Sequence, residues 1–212
     1  MNSVKQFELY YGGTFDPVHW GHLTPVLALA ESVKAKSLHF MPCYIPPHKE
    51  PARVTSQHRS SMLELALSEI KPTASMTLAI ETYELNKGGA SYTVDTLEHF
   101  KRLKPDSKLG LVIGMDSLLS FTTWFNWQQI LDLCHLFVMQ RPGYRFNSNE
   151  LDARLKCRLD DNIHLVETPE VDVSSTHVRQ LLLLGKTPTE DEVPRVVLEY
   201  IERCKLYRSP RL

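Results

Sequence analysis

Short apolar runs of strand length alternate along the chain with longer segments in which apolar residues recur at helical spacing. The runs predict strands and the segments between them predict helices. This alternation is typical of parallel sheets with right-handed crossovers, so the pattern predicts an α/β fold with a doubly wound parallel sheet. The predicted strands are 6–11, 37–42, 74–80, 108–113, 135–140 and 162–166. The predicted helices are 23–36, 56–70, 93–103, 128–134, 173–184 and 190–206.

The length of 212 residues is that of one domain, and residues 174–212 are predicted to form a C-terminal helical subregion of it. Two segments are harder to interpret. Residues 81–85 either extend the third strand or begin an irregular loop, and the polar residues 145–161 are expected to form a surface excursion whose role is open.

The stretch 12–22 connects the first strand to the first helix and reads Gly-Gly-Thr-Phe-Asp-Pro-Val-His-Trp-Gly-His. Turns at the carboxyl ends of parallel strands bind ligands in such folds. Gly12 and Gly13 would let a ligand come close enough to accept hydrogen bonds from backbone N–H groups. His19 and His22, spaced i, i+3 at a helix start, would project to one side and donate to phosphate oxygens. The stretch therefore predicts a phosphate-binding turn.

Other interpretations of this turn fit the residues less well. A Rossmann G-x-G-x-x-G turn and a Walker loop are both absent, which disfavours hydride transfer and ordinary ATPases. A zinc site is disfavoured because zincin histidines are spaced i, i+4 with an intervening Glu, and the four cysteines form no cluster. The plainest alternative is a helix start with two incidental histidines.

Further candidate residues follow the other predicted strands or begin later helices. His48 and Lys49 lie in a loop that two prolines keep irregular, and Arg141 follows the fifth strand, so all three could supply cations at the ligand edge of the sheet. Ser91 and Thr93 could cap the helix that begins there, or leave its N–H groups to an anionic ligand.

Three more features admit both a binding and a structural interpretation. Gly114 and Asp116 follow the fourth strand, and the aspartate could accept hydrogen bonds from ribose or cap the next turn. Thr176 and Arg179, i, i+3 on a first helical turn, form either a second phosphate cradle or a capped helix with a solvent-facing arginine. Trp124 could stack on an electron-poor ring, although aromatic residues at this spacing usually belong to the core.

Composition narrows the class of ligand. A net charge of −1, a pI near 6.8 and the lack of a long basic run argue against nucleic-acid binding and favour a small substrate. The four widely spaced cysteines predict reduced thiols, and neither a signal peptide nor a membrane-spanning run is apparent. We therefore expect a cytoplasmic protein with neither a membrane nor a nucleic-acid partner; the oligomeric state is open.

The string G-G-T-F-D-P-x-H-x-G-H resembles the signature of the nucleotidyltransferase superfamily that uses a His-x-Gly-His motif. Ser174-Ser-Thr-x-Val-Arg179 resembles the second motif of that superfamily, at the expected far end of the chain. The loops between them resemble those of the bacterial nicotinate-nucleotide adenylyltransferase family, in Pro46-Pro-His-Lys49, Ser91-Tyr-Thr93, Ile113-Gly-x-Asp116, Thr123-Trp124 and Arg141-Pro-Gly143. The resemblance covers nearly the entire chain. It implies a Rossmann-like fold and an enzyme of NAD biosynthesis that transfers AMP from ATP to nicotinate mononucleotide and releases pyrophosphate.

The resemblance also implies a role for each candidate residue. The catalytic residues would be His19, His22 and Arg179. ATP and its phosphates would be bound by Gly12, Gly13, Thr14, Phe15, Gly114, Asp116, Arg141, Ser175 and Thr176. Nicotinate mononucleotide would be bound by His48, Lys49, Tyr92, Thr93, Trp124 and Phe125, with its ring on the tryptophan and its carboxylate on the amides of Thr93 and Phe125. Mg²⁺ would arrive with ATP, and no protein ligand is assigned to it.

Three alternatives remain at this point. The chain could be a nicotinamide mononucleotide adenylyltransferase. It could be a pantetheine-phosphate adenylyltransferase, although that family typically has Thr in place of the first histidine and a shorter chain. It could also be a nucleotide-binding regulator that has lost turnover.

Overall fold

The computed structural model describes residues 6–44, 51–72, 76–140, 147–159 and 161–208. Six strands form one sheet: Phe7–Gly13 (β1), Ser37–Pro42 (β2), Thr77–Ile80 (β3), Lys108–Gly114 (β4), His135–Gln140 (β5) and Ile163–Glu167 (β6). Their spatial order is β3-β2-β1-β4-β5-β6, and all five pairings are parallel. The order reverses between β1 and β4, and ligands bind at such a reversal in open α/β sheets. The predicted α/β fold with a doubly wound, Rossmann-like parallel sheet is confirmed.

Helices connect the strands and cover both faces of the sheet. They are Trp20–Ser32 (α1), Ser56–Ser68 (α2), Tyr83–Lys87 (α3), Thr93–Leu103 (α4), Met115–Leu119 (α5), Trp127–Leu133 (α6), Ala153–Lys156 (α7), Ser175–Leu183 (α8) and Arg195–Arg203 (α9), with short 3₁₀ helices at Phe121–Thr123 and Ser148–Glu150. Within the described part of the chain, none of these is both long enough and apolar enough to cross a membrane.

The core has two halves, because successive side chains of a strand point to opposite faces of the sheet. Leu9 of β1 belongs to a cluster that includes buried residues of α1, α2 and α9. The next residue, Tyr10, belongs to a cluster that includes buried residues of α4, α6 and α7. Apolar helix faces therefore form a core on each side of the sheet.

Several sequence-based bounds need correction. The helix predicted over 190–206 begins only at Arg195, directly after Pro194. The residue before a proline, here Val193, avoids helical geometry, so the helix does not extend further toward the N-terminus. Residues 81–85 do not extend β3: Glu81 and Thr82 form a short irregular link, and α3 begins at Tyr83. The first helix begins at Trp20, directly after His19, whereas the prediction began it at residue 23, where its apolar periodicity starts.

Candidate active site

A cavity of about 860 Å³ opens at the carboxyl ends of β1 and β4, where the strand order reverses. Its walls come from the turn after β1, the ends of β2 and β4, the segment 117–125 and the first residues of α4 and α8. Residues far apart in the sequence meet here. The sequence-predicted residues that line it are Gly12, Gly13, Thr14, Phe15, His22, Tyr92, Thr93, Gly114, Trp124, Phe125, Ser175, Thr176 and Arg179.

The remaining predicted site residues have other positions. Asp116 is exposed in the first turn of α5 and does not line the cavity. His48, Lys49 and Arg141 lie outside the described residues. His19 is 4% exposed and lies beneath the cavity surface, where its ring centroid is 3.8 Å from that of His22.

Burial determines the protonation state of His19. It lowers the pKa of this imidazole to about 4, so the ring is neutral near pH 7. Its Nδ1 is buried and has no hydrogen-bond partner among the described residues. Such an atom is costly in a folded protein. A neutral imidazole can still donate one hydrogen bond.

The turn after β1 has its shape because Phe15 packs inside it. Phe15 has a φ of 50° and is 1% exposed, and its ring meets the His22 ring edge-on at a centroid distance of 5.2 Å. A Cβ on Gly13 would lie 2.7 Å from the Phe15 ring. Gly13 is therefore required by this packing, a reason additional to the ligand approach that the sequence suggested.

Gly21 has a comparable role at the start of α1. A Cβ there would lie 2.9 Å from the carbonyl oxygen of Val173 and 3.0 Å from the His19 ring. The absence of a side chain at Gly21 thus lets α1 approach the segment before α8. The two predicted phosphate motifs are brought together partly through this contact.

Asp16 links the first turn to α8 and to the chain's C-terminal region. It is 3% exposed, and its carboxylate accepts hydrogen bonds from the Tyr207 hydroxyl and the Arg53 N–H, each at 2.7 Å. Its carbonyl accepts from Arg179 Nη1 at 2.7 Å, and Arg179 Nη2 donates to Thr176 Oγ1 at 3.2 Å. Burial, together with the Asp16 charge, raises the pKa of Tyr207. Asp16 therefore holds Arg179 where its side chain faces the cavity.

Arg59 is a buried cation behind the same turn. It is 1% exposed, and its Nη1 donates to the Thr14 carbonyl at 2.6 Å. Its Nη2 donates to the carbonyls of Cys43 and Tyr44 at 2.7 and 3.3 Å. One guanidinium therefore joins the loops that follow β1 and β2. Sequence reasoning missed this role, because Arg59 lies in a helical segment with no motif.

The opposite wall is aromatic and includes an open helix start. Trp124 is half-buried, with its ring 5.2 Å from that of the buried Phe121. Phe125 and Tyr92 are exposed, and their ring centroids are 5.1 Å apart. Tyr92 is the N-cap of α4 and supplies no side-chain hydrogen bond to it, so helix N–H groups beginning with that of Thr93 lie beside the cavity uncapped by this residue.

The cavity thus combines two phosphate-type turns, an arginine and a histidine pair at one end with an aromatic surface at the other. The family profile described as cytidylyltransferase-like matches residues 10–181, and the chain belongs to that family of nucleotidyltransferases.

Full-length relatives narrow this class. The chain is 37% identical over 219 residues to the nicotinate-nucleotide adenylyltransferase of Escherichia coli, with 97% of this chain and 100% of the relative covered. It is 36% identical over 209 residues to a probable nicotinate-nucleotide adenylyltransferase of Methylococcus capsulatus, with 93% of this chain and 97% of the relative covered. Within the nucleotidyltransferases, the chain belongs to the nicotinate-nucleotide adenylyltransferase family.

A solved structure has the same fold. The Plasmodium falciparum nicotinic acid mononucleotide adenylyltransferase, determined in complex with NaAD, superposes with a TM-score of 0.75 at 18% identity. The match covers 95% of this chain and 97% of that one. The architecture therefore extends to proteins of low sequence similarity.

Proposed function

We propose that this protein transfers AMP from ATP to nicotinate mononucleotide, yielding deamido-NAD and pyrophosphate. One observation carries the proposal: a single cavity joins the two phosphate motifs, including His22 and Arg179, to the aromatic wall at Trp124. Membership of the nicotinate-nucleotide adenylyltransferase family supports the same reaction.

The reaction needs no protein nucleophile. An oxygen of the mononucleotide phosphate attacks the α-phosphorus of ATP in line, and the bond from that phosphorus to the oxygen bridging to the β-phosphate breaks. Pyrophosphate carries away the bonding electrons. Catalysis then consists of holding both phosphates in line and stabilising charge on the leaving group. We assign these tasks to donors at the two motifs: His22, Thr14, Thr176 and Arg179 from the cavity lining, with His19 donating as a neutral imidazole from behind.

The binding of the pyridine ring is inferred from the aromatic wall of the cavity at Trp124. The ring of nicotinate mononucleotide is a pyridinium cation, which suits the face of Trp124. Its carboxylate suits uncharged N–H donors, and we assign it to the amide of Thr93 at the open start of α4 and to the amide of Phe125, which precedes α6. A carboxamide would turn N–H groups toward the same donors and leave some of them unpaired, which disfavours nicotinamide mononucleotide.

We further propose that Mg²⁺ enters with ATP, held by phosphate oxygens and water, and that it neutralises phosphate charge there. Among the described residues, no group of three or more His, Cys, Asp or Glu side chains could hold a metal ion. The two carboxylates that line the cavity within the described part of the chain are already engaged: Asp16 accepts from Tyr207 and Arg53, and Glu84 accepts from Thr96. The side chains present therefore suit a metal carried by the nucleotide rather than a protein cage.

We place the reaction in the cytoplasm. The four cysteines all remain free thiols, which suits a reducing compartment.

The direct test measures pyrophosphate release by the purified protein with ATP and magnesium. Nicotinate mononucleotide, nicotinamide mononucleotide and phosphopantetheine are compared as acceptors. We expect a strong preference for the first. Preference for either of the others would overturn the substrate assignment, and ATP binding without release from any of them would identify a regulator instead.

A further inference from the structure

Glu84 is a buried carboxyl group in the wall of the cavity that no motif predicted. It belongs to the short helix α3, in the segment whose sequence was uninformative, and it is 8% exposed. It lines the cavity together with Ser91, Tyr92 and Thr93. Its position places an acidic group next to the start of α4.

Two hydroxyl groups near the N-cap of α4 interact with this carboxyl. Thr96 Oγ1 donates to Glu84 Oε1 at 2.9 Å and also approaches the Tyr92 carbonyl at 3.4 Å. The Ser91 hydroxyl lies close enough to the same carboxyl to lower its pKa, and its Oγ accepts from the Tyr44 N–H at 3.2 Å. Glu84 thereby joins α3 to the first turn of α4 and lies beside Ser91, which is itself bonded to the loop after β2.

Packing alone does not require an acid here. A buried carboxyl is costly to desolvate, and an apolar side chain could fill the same volume more cheaply. Burial raises the pKa of Glu84, while the hydroxyls of Ser91 and Thr96 and the charge of Lys87 oppose that rise. What the carboxyl adds is directional: it accepts from the Thr96 hydroxyl and so holds the first turn of α4 against α3.

We propose that Glu84 is a positioning residue that sets the preference for a pyridine ring bearing a carboxylate, because its bond to Thr96 holds the first turn of α4 and with it the backbone of Ser91–Thr93 beside the cavity. This inference rests on the proposed function, because it assigns the substrate carboxylate to that helix start. Glu84 does not touch the reacting phosphates in this assignment. Its loss should therefore affect the binding of the pyridine substrate and its selectivity much more than the binding of ATP.

The test compares Glu84→Ala and Glu84→Gln with the wild-type protein in steady-state kinetics. For Glu84→Ala we expect the KM for nicotinate mononucleotide to rise about tenfold, the fold-change that corresponds to the loss of one oriented hydrogen-bonding group. The KM for ATP should stay within about twofold. The kcat/KM ratio of nicotinate over nicotinamide mononucleotide should fall by a comparable factor, about tenfold. Glu84→Gln keeps one carbonyl acceptor and should show a smaller loss.

The matched control is Lys87→Gln. Lys87 lies on the same short helix and links it to α4 through an exposed ion pair with Asp95. This variant breaks a contact between the same two helices and removes the smallest of the influences on the Glu84 pKa, but it leaves the hydroxyl groups near the N-cap in place. We expect both KM values and the selectivity ratio to remain at wild-type values.

Ser91→Ala and Thr96→Val test the same network if Glu84→Ala fails to fold, and each should lower the selectivity ratio in the same direction. The inference is overturned if the wild type is active but the Glu84 variants keep its selectivity. It is also overturned if both KM values and the melting temperature change together, which indicates a purely structural role. A wild type that transfers AMP to neither pyridine mononucleotide would instead overturn the proposed function, and this inference with it.

Discussion

At the scale of single residues, the two histidines of the first motif differ in exposure and protonation. His22 lines the cavity, whereas His19 is buried beneath it and neutral. We predict that His22→Ala lowers kcat by about a hundredfold to a thousandfold, the usual effect of removing one donor to a charged transition state. Pyrophosphate release under saturating substrates measures it.

A control for this variant comes from another helix. His58 of α2 bonds the Tyr200 hydroxyl at 2.9 Å and does not line the cavity, so His58→Gln should leave kcat within about twofold of wild type. Circular dichroism would check that both variants are folded. If kcat falls by less than about threefold in His22→Ala, the assigned role of this ring is contradicted.

Gly21 provides a second prediction at this scale. A methyl group there meets a backbone carbonyl and the His19 ring, and the carbonyl cannot move aside as a flexible side-chain end could. Gly21→Ala should therefore destabilise the protein by about 1–3 kcal/mol, as measured by urea unfolding. Gly114→Ala is the stability control, because a Cβ at Gly114 meets nothing within 4 Å. Equal unfolding free energies in the two variants would show that Gly21 is not needed for this packing.

At the scale of secondary-structure elements, the hydrophobic pattern predicted all six strands and the edge of the sheet at which the site lies. It could not place buried polar groups, because periodicity indicates where apolar side chains are buried but not which charged ones join them. Arg59 has no motif around it, yet it is 1% exposed and holds two loops. Asp16 accepts a hydrogen bond from Tyr207, which is 191 residues away in the sequence, and no local pattern predicts this pair.

At the scale of the whole molecule, the carboxyl and amino ends of the sheet strands have different functions. The cavity lies at the carboxyl ends of the strands. An ion cluster centred on Glu8 of β1, which is 3% exposed, lies at their amino ends. Its carboxylate accepts from Lys36 at 2.9 Å, from Lys104 at 2.7 Å and from Ser107 at 3.1 Å. These contacts join β1 to the segments that precede β2 and β4, so the cluster holds the centre of the sheet at the end opposite to the site.

The charge of Glu8 makes stability depend on pH. Burial alone would raise the pKa of Glu8, but the hydrogen bonds from Lys104, Lys36 and Ser107 outweigh it and lower the pKa from 4.5 to about 2. A carboxyl group whose pKa is lower in the folded state stabilises that state above pH 4.5, and this contribution is lost as the pH falls toward 2. Because both lysines are substantially exposed, we expect about 1–2 kcal/mol at pH 7.

The prediction is that Glu8→Gln lowers the free energy of unfolding by this amount at pH 7, and that the gap between variant and wild type narrows progressively as the pH falls from about 4.5 toward 2. His19 is protonated more readily in the unfolded chain than in the folded protein. The protein therefore also loses stability through His19 as the pH falls from 6.5 to about 4. Both proteins carry His19, so its contribution cancels in the difference between their urea unfolding curves. A difference independent of pH would show that Glu8 acts through packing rather than charge. Since Glu8 lies at the amino ends of the strands, AMP transfer at pH 7 should be unaffected in the variant.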